Sequence, residues 1–273
     1  MQQRGQVCII TGGASGIGRA LALELGRRGA VLVVSDVDVV GAQAVAAAIN
    51  AMRPDSATAV ALDVTDAEAV AALVSATVEQ HGRLDLMFNN AGICITGDAR
   101  DLSVAQWRRV IDVNLMGVIY GSDAAYKAMA AQGAGHIVNI ASLAGLVPFP
   151  TNAPYGATKH AVVGLSLALR AEGEDLGVRV SVVCPGFVDS NIFNATVVVN
   201  ASREKLIANI PFKKVAVEQA AERILDGVAR NQAMIVFPAY ARLLWWGYRL
   251  VPDLLAPLGR KMIRDLRKIR GSA

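Results

Sequence analysis

The chain has 273 residues, of which 53% are hydrophobic and 18% are charged, and this composition excludes an intrinsically disordered protein. The net charge is +4, but residues 241–273 carry eight basic and two acidic side chains, so the rest of the chain is slightly acidic and offers a nucleic acid little to bind. The three cysteines are far apart and the three histidines lack metal-ligand spacing, which excludes a disulfide framework and predicts that no metal is bound.

The beginning of the chain has no basic segment followed by a long apolar one, which a signal peptide would have. No window of about 18 residues is uncharged and apolar enough to cross a bilayer. We therefore expect a cytoplasmic protein.

Seven short apolar runs alternate with longer stretches of helical pattern. The predicted strands are residues 6–11, 30–36, 57–64, 84–92, 135–142, 178–186 and 233–237, and the predicted helices are 17–28, 41–52, 66–81, 103–131, 155–175 and 217–230. Asp66 is predicted to cap the third helix, and Asp101 or Ser103 the fourth. Because the strand runs are apolar nearly throughout, they are typical of parallel strands covered on both faces. The alternation predicts a single-domain, doubly wound α/β fold over residues 1–240.

The first strand leads directly into a glycine-rich loop, "TGGASGIGRA", at residues 11–20. Gly13 and Gly18 have the spacing of a P-loop, but Arg19 and Ala20 stand where that loop needs Lys and a hydroxyl residue. The other interpretation is a dinucleotide pyrophosphate bound at a helix N-terminus by Gly12, Gly16 and Gly18, with Gly13 merely tolerated in the turn. We favour the dinucleotide.

The second predicted strand ends in an acidic residue, as a dinucleotide site requires. Asp36 lies 18 residues after Gly18, where a carboxylate would hold the ribose hydroxyls. The same charge would repel the 2′-phosphate of NADP, so the sequence predicts NAD as the cofactor.

A helical segment further along carries a tyrosine and a lysine on one face. Tyr155 and Lys159 are four residues apart, and Ser142 ends the preceding strand. A free tyrosine has a pKa near ~10, so a neighbouring ammonium would help it act as a base at neutral pH. The group is suited to the proton transfer that accompanies hydride transfer at a carbonyl.

Several ordered motifs together resemble the short-chain dehydrogenase/reductase family over residues 5–240. The motifs are "TGGASGIG" (11–18), "NNAG" (89–92), Asn114 in "VNLMG", Ser142, "YGATK" (155–159) and "PGFVDS" (185–190). The resemblance implies a Rossmann fold with a seven-stranded parallel sheet. It also implies a catalytic tetrad of Asn114, Ser142, Tyr155 and Lys159.

Each member of the tetrad has a role that the resemblance implies. Tyr155 would be the general acid/base, and Ser142 would position the substrate oxygen. Lys159 would lower the pKa of the tyrosine and hold the nicotinamide ribose, and Asn114 would anchor a water in a proton relay that reaches Lys159.

The resemblance also implies contacts to the cofactor beyond the glycines and Asp36. These are Ser15 and Ile17 in the glycine turn, Asp63 and Val64 at the adenine, Asn90, Ala91 and Gly92 at the cofactor floor, Tyr155 and Lys159, and Pro185, Gly186, Val188 and Ser190 beside the nicotinamide. Ser190 stands where the family often has Thr. Ser15 and Val37 occupy positions at which NADP-dependent members often have a basic residue, which again favours NAD.

Residues 187–217 occupy the position of the family's substrate lid and are rich in apolar side chains. Leu146, Val147 and Phe149, between Ser142 and Tyr155, are predicted to add to the pocket wall. We therefore expect a hydrophobic substrate.

Residues 241–273 are predicted to form a basic, amphipathic helical extension. One stripe contains Tyr240, Leu243, Leu244, Gly247, Leu250 and Val251, and a second contains Leu258, Met262, Ile263, Leu266 and Ile269. We favour packing on the protein's own body or on a partner subunit, with contact to an anionic membrane surface as the alternative.

The sequence thus predicts an NAD(H)-dependent oxidoreductase that interconverts a hydrophobic secondary alcohol and its ketone. One alternative is an NADPH-dependent ketoreductase of lipid or polyketide metabolism, which Asp36 disfavours. Another is a nucleotide-sensing binding protein on the same fold, which would not need the tetrad. A homo-oligomer, either a dimer or a tetramer, is implied by the resemblance alone.

Overall fold

The computed structural model describes residues 4–208, 213–268 and 270. Its strands are β1 (Val7–Thr11), β2 (Val31–Asp36), β3 (Ala57–Ala61), β4 (Leu86–Asn89), β5 (Ile95–Thr96), β6 (Gly135–Ile140), β7 (Val178–Pro185), β8 (Val197–Val198) and β9 (Met234–Phe237). Its α-helices are α1 (Gly16–Arg27), α2 (Val39–Met52), α3 (Ala67–His81), α4 (Val104–Ile111), α5 (Gly117–Gln132), α6 (Ala153–Glu172), α7 (Ile192–Ala195), α8 (Arg203–Ala208), α9 (Val217–Ala229), α10 (Ala239–Leu250) and α11 (Ala256–Lys268).

The seven predicted strands form one sheet in the order β3-β2-β1-β4-β6-β7-β9, and every pairing is parallel. The order reverses direction between β1 and β4, so a crevice opens at their carboxyl ends. This arrangement confirms the predicted Rossmann fold. The short strands β5 and β8 pair with each other away from the main sheet and were not predicted.

Neighbouring residues of the central strand point to opposite faces of the sheet and enter different cores. Ile10 packs in the cluster that includes α1, α2 and α9 residues, whereas Ile9 packs in the cluster beneath α3 and α5. Both side chains are fully buried. Because both faces are covered, the strands are apolar at nearly every position, which is the pattern that predicted them.

The predicted helix over 103–131 is interrupted. A π-helical turn, Asp112–Met116, separates α4 from α5 and contains Asn114. Ser103 caps α4 in a capping box with Gln106, which settles the choice between Asp101 and Ser103. The predicted cap of α3 is confirmed, since the Asp66 side chain accepts hydrogen bonds from two backbone N–H groups of its first turn.

The C-terminal extension forms two helices, α10 and α11, and each is attached to the body of the protein. Ala241 of α10 is fully buried in a third core cluster, which also contains residues of β7, β9 and α6. Leu266 of α11 is buried, and Arg267 of α11 donates to Asp98 at 2.8 Å. The extension therefore packs on the protein's own body, as favoured from the sequence.

The predicted stripe on α10 is divided between two faces. Tyr240 and Leu244 pack on the third core cluster, whereas Leu243 and Leu250 are exposed. Ile269 of the second predicted stripe lies outside the described residues. Among the residues that the structure describes, no helix is both long and apolar enough to span a membrane.

Candidate active site

The glycine loop has a backbone that side chains would not tolerate. Gly12 and Gly16 have φ values of +66° and +53°, which L-residues rarely adopt. A Cβ on Gly18 would overlap the carbonyl oxygen of Gly12, so the first turn of α1 packs directly against the loop. The loop therefore leads from the carboxyl end of β1 directly into the N-terminus of α1, and a helix N-terminus attracts an anion.

Gly13 corrects the sequence interpretation of the loop. A Cβ there would lie 2.5 Å from Cγ1 of Val34, and the Gly13 N–H donates to the Ser35 carbonyl oxygen at 3.0 Å. Gly13 is therefore required by close packing of the loop against β2, rather than merely tolerated in the turn.

The "NNAG" segment is joined to the glycine loop. The Asn90 side-chain amide donates to the carbonyl oxygens of Thr11 and Gly12, at 2.9 and 3.0 Å. The Thr11 hydroxyl oxygen accepts from the N–H groups of Asn90 and Ala91. These contacts fix the two sides of the crevice between β1 and β4 relative to each other. Asn89, by contrast, points into a buried network in which its amide donates to Ser122 and Asn139.

Asp36 lies at the carboxyl end of β2 and faces the glycine loop. One carboxylate oxygen accepts from the Ala14 N–H at 2.9 Å and the other from the Asp38 N–H at 3.0 Å. The backbone thus holds the carboxylate beside the loop, where the adenosine ribose of a dinucleotide would lie. The glycine loop, which has no room for side chains, and the negative charge of Asp36 are both suited to the predicted cofactor.

The next four predicted cofactor positions differ in their surroundings. Ser15 is exposed at the α1 N-terminus and its side chain makes no capping hydrogen bond, while Ile17 packs on the core. Asp63 is exposed, and hydrogen bonds from the backbone N–H and side chain of Thr65 hold its pKa below the usual range. Val64 is buried against Gly117, so its side chain belongs to the core.

The segment after β7 crosses over the glycine loop. Ser190 is the residue nearest to the position that a Cβ on Gly16 would occupy, 3.2 Å from it. Pro185 ends β7, and the Gly186 N–H donates to the Phe237 carbonyl oxygen at 2.7 Å. Val188 is buried and pairs with Val215. The segment is thus anchored at both ends of its path over the loop.

Tyr155, Ser142 and Lys159 lie together next to this crevice. Tyr155 is in the first turn of α6, and Lys159 is one turn further along, with its Nζ 5.5 Å from the centroid of the tyrosine ring. Burial raises the pKa of Tyr155 well above its ordinary value, and a hydrogen bond with Ser142 opposes this shift. Ser142 follows β6 by two residues, so the sheet and α6 jointly place the group.

Lys159 is buried but not isolated. Its ammonium donates to the Ile140 carbonyl oxygen at 2.8 Å, and burial lowers its pKa to about 8. A Cβ on Gly92 would lie 3.6 Å from Lys159 Nζ and 3.3 Å from Asn114 Oδ1. Gly92 therefore lies between the lysine and the asparagine, and a larger residue there would crowd both.

Asn114 is fully buried in the π-helical turn, and its side chain is bonded to one neighbour. The amide oxygen accepts from the Ile93 N–H and the amide nitrogen donates to the Ile93 carbonyl oxygen, both at 2.8 Å. The turn thereby holds the segment after "NNAG" in place. The role of Asn114 in a water relay stays a prediction.

Sequence reasoning missed Asn152, whose side chain ties the turn before Tyr155 to the segment after "NNAG". The Asn152 amide oxygen accepts from the Thr96 hydroxyl and from the Cys94 thiol, three residues before Tyr155. Burial raises the pKa of the Cys94 thiol, which keeps it protonated. The position of Asn152 in the turn that precedes Tyr155 could have identified it, whereas its contact with Thr96 spans 56 residues and leaves no local signal.

The predicted pocket wall is only partly exposed. Leu146 and Val147 are buried in the third core cluster, so of the three predicted residues only Phe149 retains surface beside the crevice. Its ring packs edge-on against Phe187 at the start of the predicted lid, with ring centroids 5.9 Å apart. Of the predicted lid, 209–212 lie outside the described residues.

A cavity of about 500 Å³ opens on the other side of this wall. It is lined by Pro148 and Pro150 from the loop and by Tyr248, Pro252, Asp253, Ala256, Gly259, Arg260 and Ile263 from the C-terminal extension. Neither Ser142 nor Tyr155 lines it, so the cavity is separate from the group that these two residues form with Lys159.

In the part of the chain that the structure describes, no group of three or more His, Cys, Asp and Glu side chains is placed to hold a metal ion. His136 is buried and bonded to Ser181, and His160 is bonded to the Gly156 carbonyl oxygen.

Comparison with known proteins agrees with this geometry. Residues 6–199 match the family model described as short chain dehydrogenase. Cyclohexanol dehydrogenase of Acinetobacter sp. (strain SE19) is 41% identical over 184 residues, which cover 67% of this chain and 73% of that protein. Levodione reductase of Leifsonia aquatica is 40% identical over 186 residues, which cover 67% and 69%. The crystal structure of a short-chain dehydrogenase/reductase from Burkholderia phymatum in complex with NAD superimposes with a TM-score of 0.82 at 31% identity, covering 92% of this chain and 96% of that one.

Proposed function

The chain belongs to the short-chain dehydrogenase family and is an oxidoreductase, and on this premise we propose that it interconverts a hydrophobic secondary alcohol and its ketone with NAD(H). The observation that carries the proposal is the grouping of Tyr155, Ser142 and buried Lys159 beside the glycine loop. It joins a proton-transfer group to a crevice that fits a dinucleotide.

Oxidation of an alcohol removes a hydride from the carbon and a proton from the oxygen of the same C–O group. The hydride and the proton each need their own acceptor. Bound NAD would accept the hydride at its nicotinamide ring. The Tyr155 phenolate takes the hydroxyl proton of the alcohol, and in the reverse direction the phenol returns it to the ketone oxygen. The Ser142 hydroxyl, which is hydrogen-bonded to Tyr155, holds the substrate oxygen at the same place.

Lys159 contributes through its charge. With a pKa of about 8, its ammonium form predominates at neutral pH, and a positive charge near the phenol favours the phenolate. Burial of Tyr155 acts in the opposite direction. The balance keeps the tyrosine mostly protonated in the free protein, ready to act as an acid toward a ketone.

Two features support NAD rather than NADP. The Asp36 carboxylate is held beside the glycine loop by two backbone N–H groups, where it would repel a 2′-phosphate. The Burkholderia phymatum relative was crystallised in complex with NAD.

Apolar surroundings support a hydrophobic substrate. Phe149 and Phe187 pack at the edge of the crevice, and the names of two relatives refer to cyclohexanol and levodione as substrates. A site lined by aromatic rings gains little from the hydroxyl groups of a polyol and would leave some of them without partners.

The test is a steady-state screen with NAD and NADP against cyclic and acyclic secondary alcohols and against polyols of similar size. We expect kcat/KM for the best apolar alcohol to exceed that for any polyol by at least ~10-fold. A polyol as the best substrate would overturn the substrate class without affecting the assignment of the tetrad.

The cofactor assignment has its own test in Asp36→Asn, which keeps a hydrogen-bond acceptor but removes the charge. The ratio of kcat/KM with NADP to that with NAD should rise by about 10-fold, because the repulsion of the 2′-phosphate is relieved. Asp38→Asn is the matched control, since that exposed carboxylate accepts from the Gly41 N–H instead and should leave the ratio unchanged. An unchanged ratio in Asp36→Asn would remove the assigned role of Asp36.

A further inference from the structure

The outer face of α10 is apolar although it is in water. Leu243, Trp246, Leu250 and Val251 are 73%, 53%, 75% and 53% exposed, and we call these four residues the outer stripe. The first three follow the i, i+3, i+7 spacing of one helix side, which lies opposite the side that buries Ala241. A helix on a protein surface normally turns polar residues outward. This apolar stripe therefore needs a partner that covers it.

The neighbouring helix presents the opposite character to solvent. Helix α11 turns Leu266 inward, and its exposed side carries Arg260, Lys261 and Arg264, none of which pairs with a carboxylate among the described residues. In contrast, Arg267 is held by Asp98 at the protein's own surface. These three α11 side chains add positive charge, unpaired among the described residues, to the C-terminal extension.

Arginines also flank the stripe on α10 itself. Arg242 and Arg249 are seven residues apart, so they lie on the same flank, and both are exposed. Arg242 donates to the Val236 carbonyl oxygen, which leaves its charge unneutralised by any described carboxylate. Residues 241–273 carry a net charge of +6 in a chain whose total is +4, so this extension is basic and the rest of the chain is slightly acidic.

An apolar stripe flanked by arginines favours a lipid surface over a second copy of the chain as the partner. A two-fold contact between the outer stripes of two copies would bring the Arg242 and Arg249 side chains of both copies together, and like charges oppose it. An anionic lipid surface satisfies both parts of the surface, because its headgroups attract the arginines and its acyl boundary receives the apolar side chains. Tryptophan is favoured at that boundary.

We propose that α10 docks by its outer stripe on an anionic lipid bilayer surface, with Arg242 and Arg249 of the same helix at the headgroups. The docking is peripheral, with one helix face lying in the interface.

The experiment is sedimentation of the full chain with sonicated vesicles of phosphatidylcholine alone or mixed with phosphatidylglycerol. We expect the protein to bind the mixed vesicles, to bind neutral vesicles much more weakly, and to be released by high salt. Leu243→Ser/Leu250→Ser should weaken binding at least ~10-fold. The matched control is Val40→Ser/Val104→Ser, which replaces two valines on other helices that are 72% and 77% exposed and should bind as the unaltered protein does.

A second measurement needs no variant. Vesicles with brominated acyl chains should quench the tryptophan emission of the unaltered protein, since Trp246 would lie at the acyl boundary. Absence of sedimentation with the anionic vesicles, or equal binding by Leu243→Ser/Leu250→Ser, would overturn the proposal. A third outcome would also overturn it and would identify a second copy as the partner: an oligomer in solution that the same two substitutions dissociate, without any vesicle binding.

Discussion

The cofactor side and the substrate side of the site are held by different kinds of contact. On the cofactor side, short links between adjacent strands fix the backbone, as when Asn90 donates to Thr11 and Ala14 donates to Asp36. On the substrate side, side chains join segments that lie outside the seven-stranded sheet, such as Thr96 with Asn152 and Arg267 with Asp98. The first set follows from the parallel sheet itself, and the second from side chains particular to this chain.

The difference has a consequence for how the enzyme can change. A cofactor crevice built from strand ends and glycines admits few substitutions, because a Cβ on Gly18 would meet the backbone of Gly12. The C-terminal extension contains exposed apolar side chains and ion pairs, which can be replaced without moving the sheet. We therefore expect substitutions on the cofactor side to affect both folding and catalysis, and those on the substrate side to affect selection and docking.

The largest effect is expected at Tyr155, which lies where the two sides meet. Tyr155→Phe removes the proton donor and keeps the ring, so kcat should fall by about 10³-fold while NADH binding changes by less than ~3-fold. Turnover with the best alcohol and NADH fluorescence titration measure the two effects. Tyr126→Phe is the control, because Tyr126 packs beside the second core cluster on α5. More than a tenth of the original kcat in Tyr155→Phe would contradict the assigned mechanism.

The strands and most helices were predictable because their signals are local. Continuous apolar runs indicated buried parallel strands, and the Asp66 and Ser103 caps follow from short spacings. The cofactor crevice was predictable for the same reason, since the glycine loop and Asp36 are each set by one strand and the turn after it.

Other features had no local signal. The π-helical turn around Asn114 inserts into a helix whose apolar periodicity continues on both sides, so the pattern predicted one helix. Helix α10 is apolar on two faces, and periodicity alone could not tell which face the core would take. Apolar residues such as Leu146 and Val147 are found both in pocket walls and in cores. Only the path of the loop in the folded protein shows that these two belong to the core. Gly13 depends on the side chain of Val34 on another strand.

A smaller effect is expected at Gly13, and it tests whether close packing fixes the cofactor side. Gly13→Ala places a Cβ against Val34, so the free energy of unfolding should fall by about 1–3 kcal/mol. Gly164→Ala is the matched control, since no atom lies within 4 Å of a Cβ there and the residue is inside α6. That substitution should leave stability unchanged or raise it by up to ~1 kcal/mol. Urea unfolding measures both.

Val34→Ala tests the cause of the Gly13 effect. If the clash with Val34 is responsible, Gly13→Ala should lower the free energy of unfolding less in the Val34→Ala background than in the unaltered chain. Val34→Ala removes Cγ1, the atom that the new Cβ would contact. Equal costs in both backgrounds would show that the loop is not fixed by this contact.

The smallest effect is expected on the substrate side, at the ion pair that joins α11 to the body. Arg267 is 50% exposed and Asp98 is 6% exposed, so we expect Arg267→Ala to lower the free energy of unfolding by about 0.5–1 kcal/mol at pH 7. Arg100 also pairs with Asp98 and limits the loss. Lys268→Ala is the control, because its partner Asp265 is itself 40% exposed and the pair should contribute less.

The pH dependence separates this ion pair from a loss of packing. The hydrogen bond from Arg267 holds the pKa of Asp98 below its usual range, so the unfolded state takes up protons first as the pH falls. The contribution of the pair is therefore complete above the ordinary aspartate pKa of about 4 and disappears as the pH falls through the lowered pKa. The difference in stability between Arg267→Ala and the unaltered chain should shrink accordingly from pH 7 toward pH 3. A difference that stays constant over this range would mean that Arg267 holds α11 by the packing of its aliphatic stem rather than by its charge.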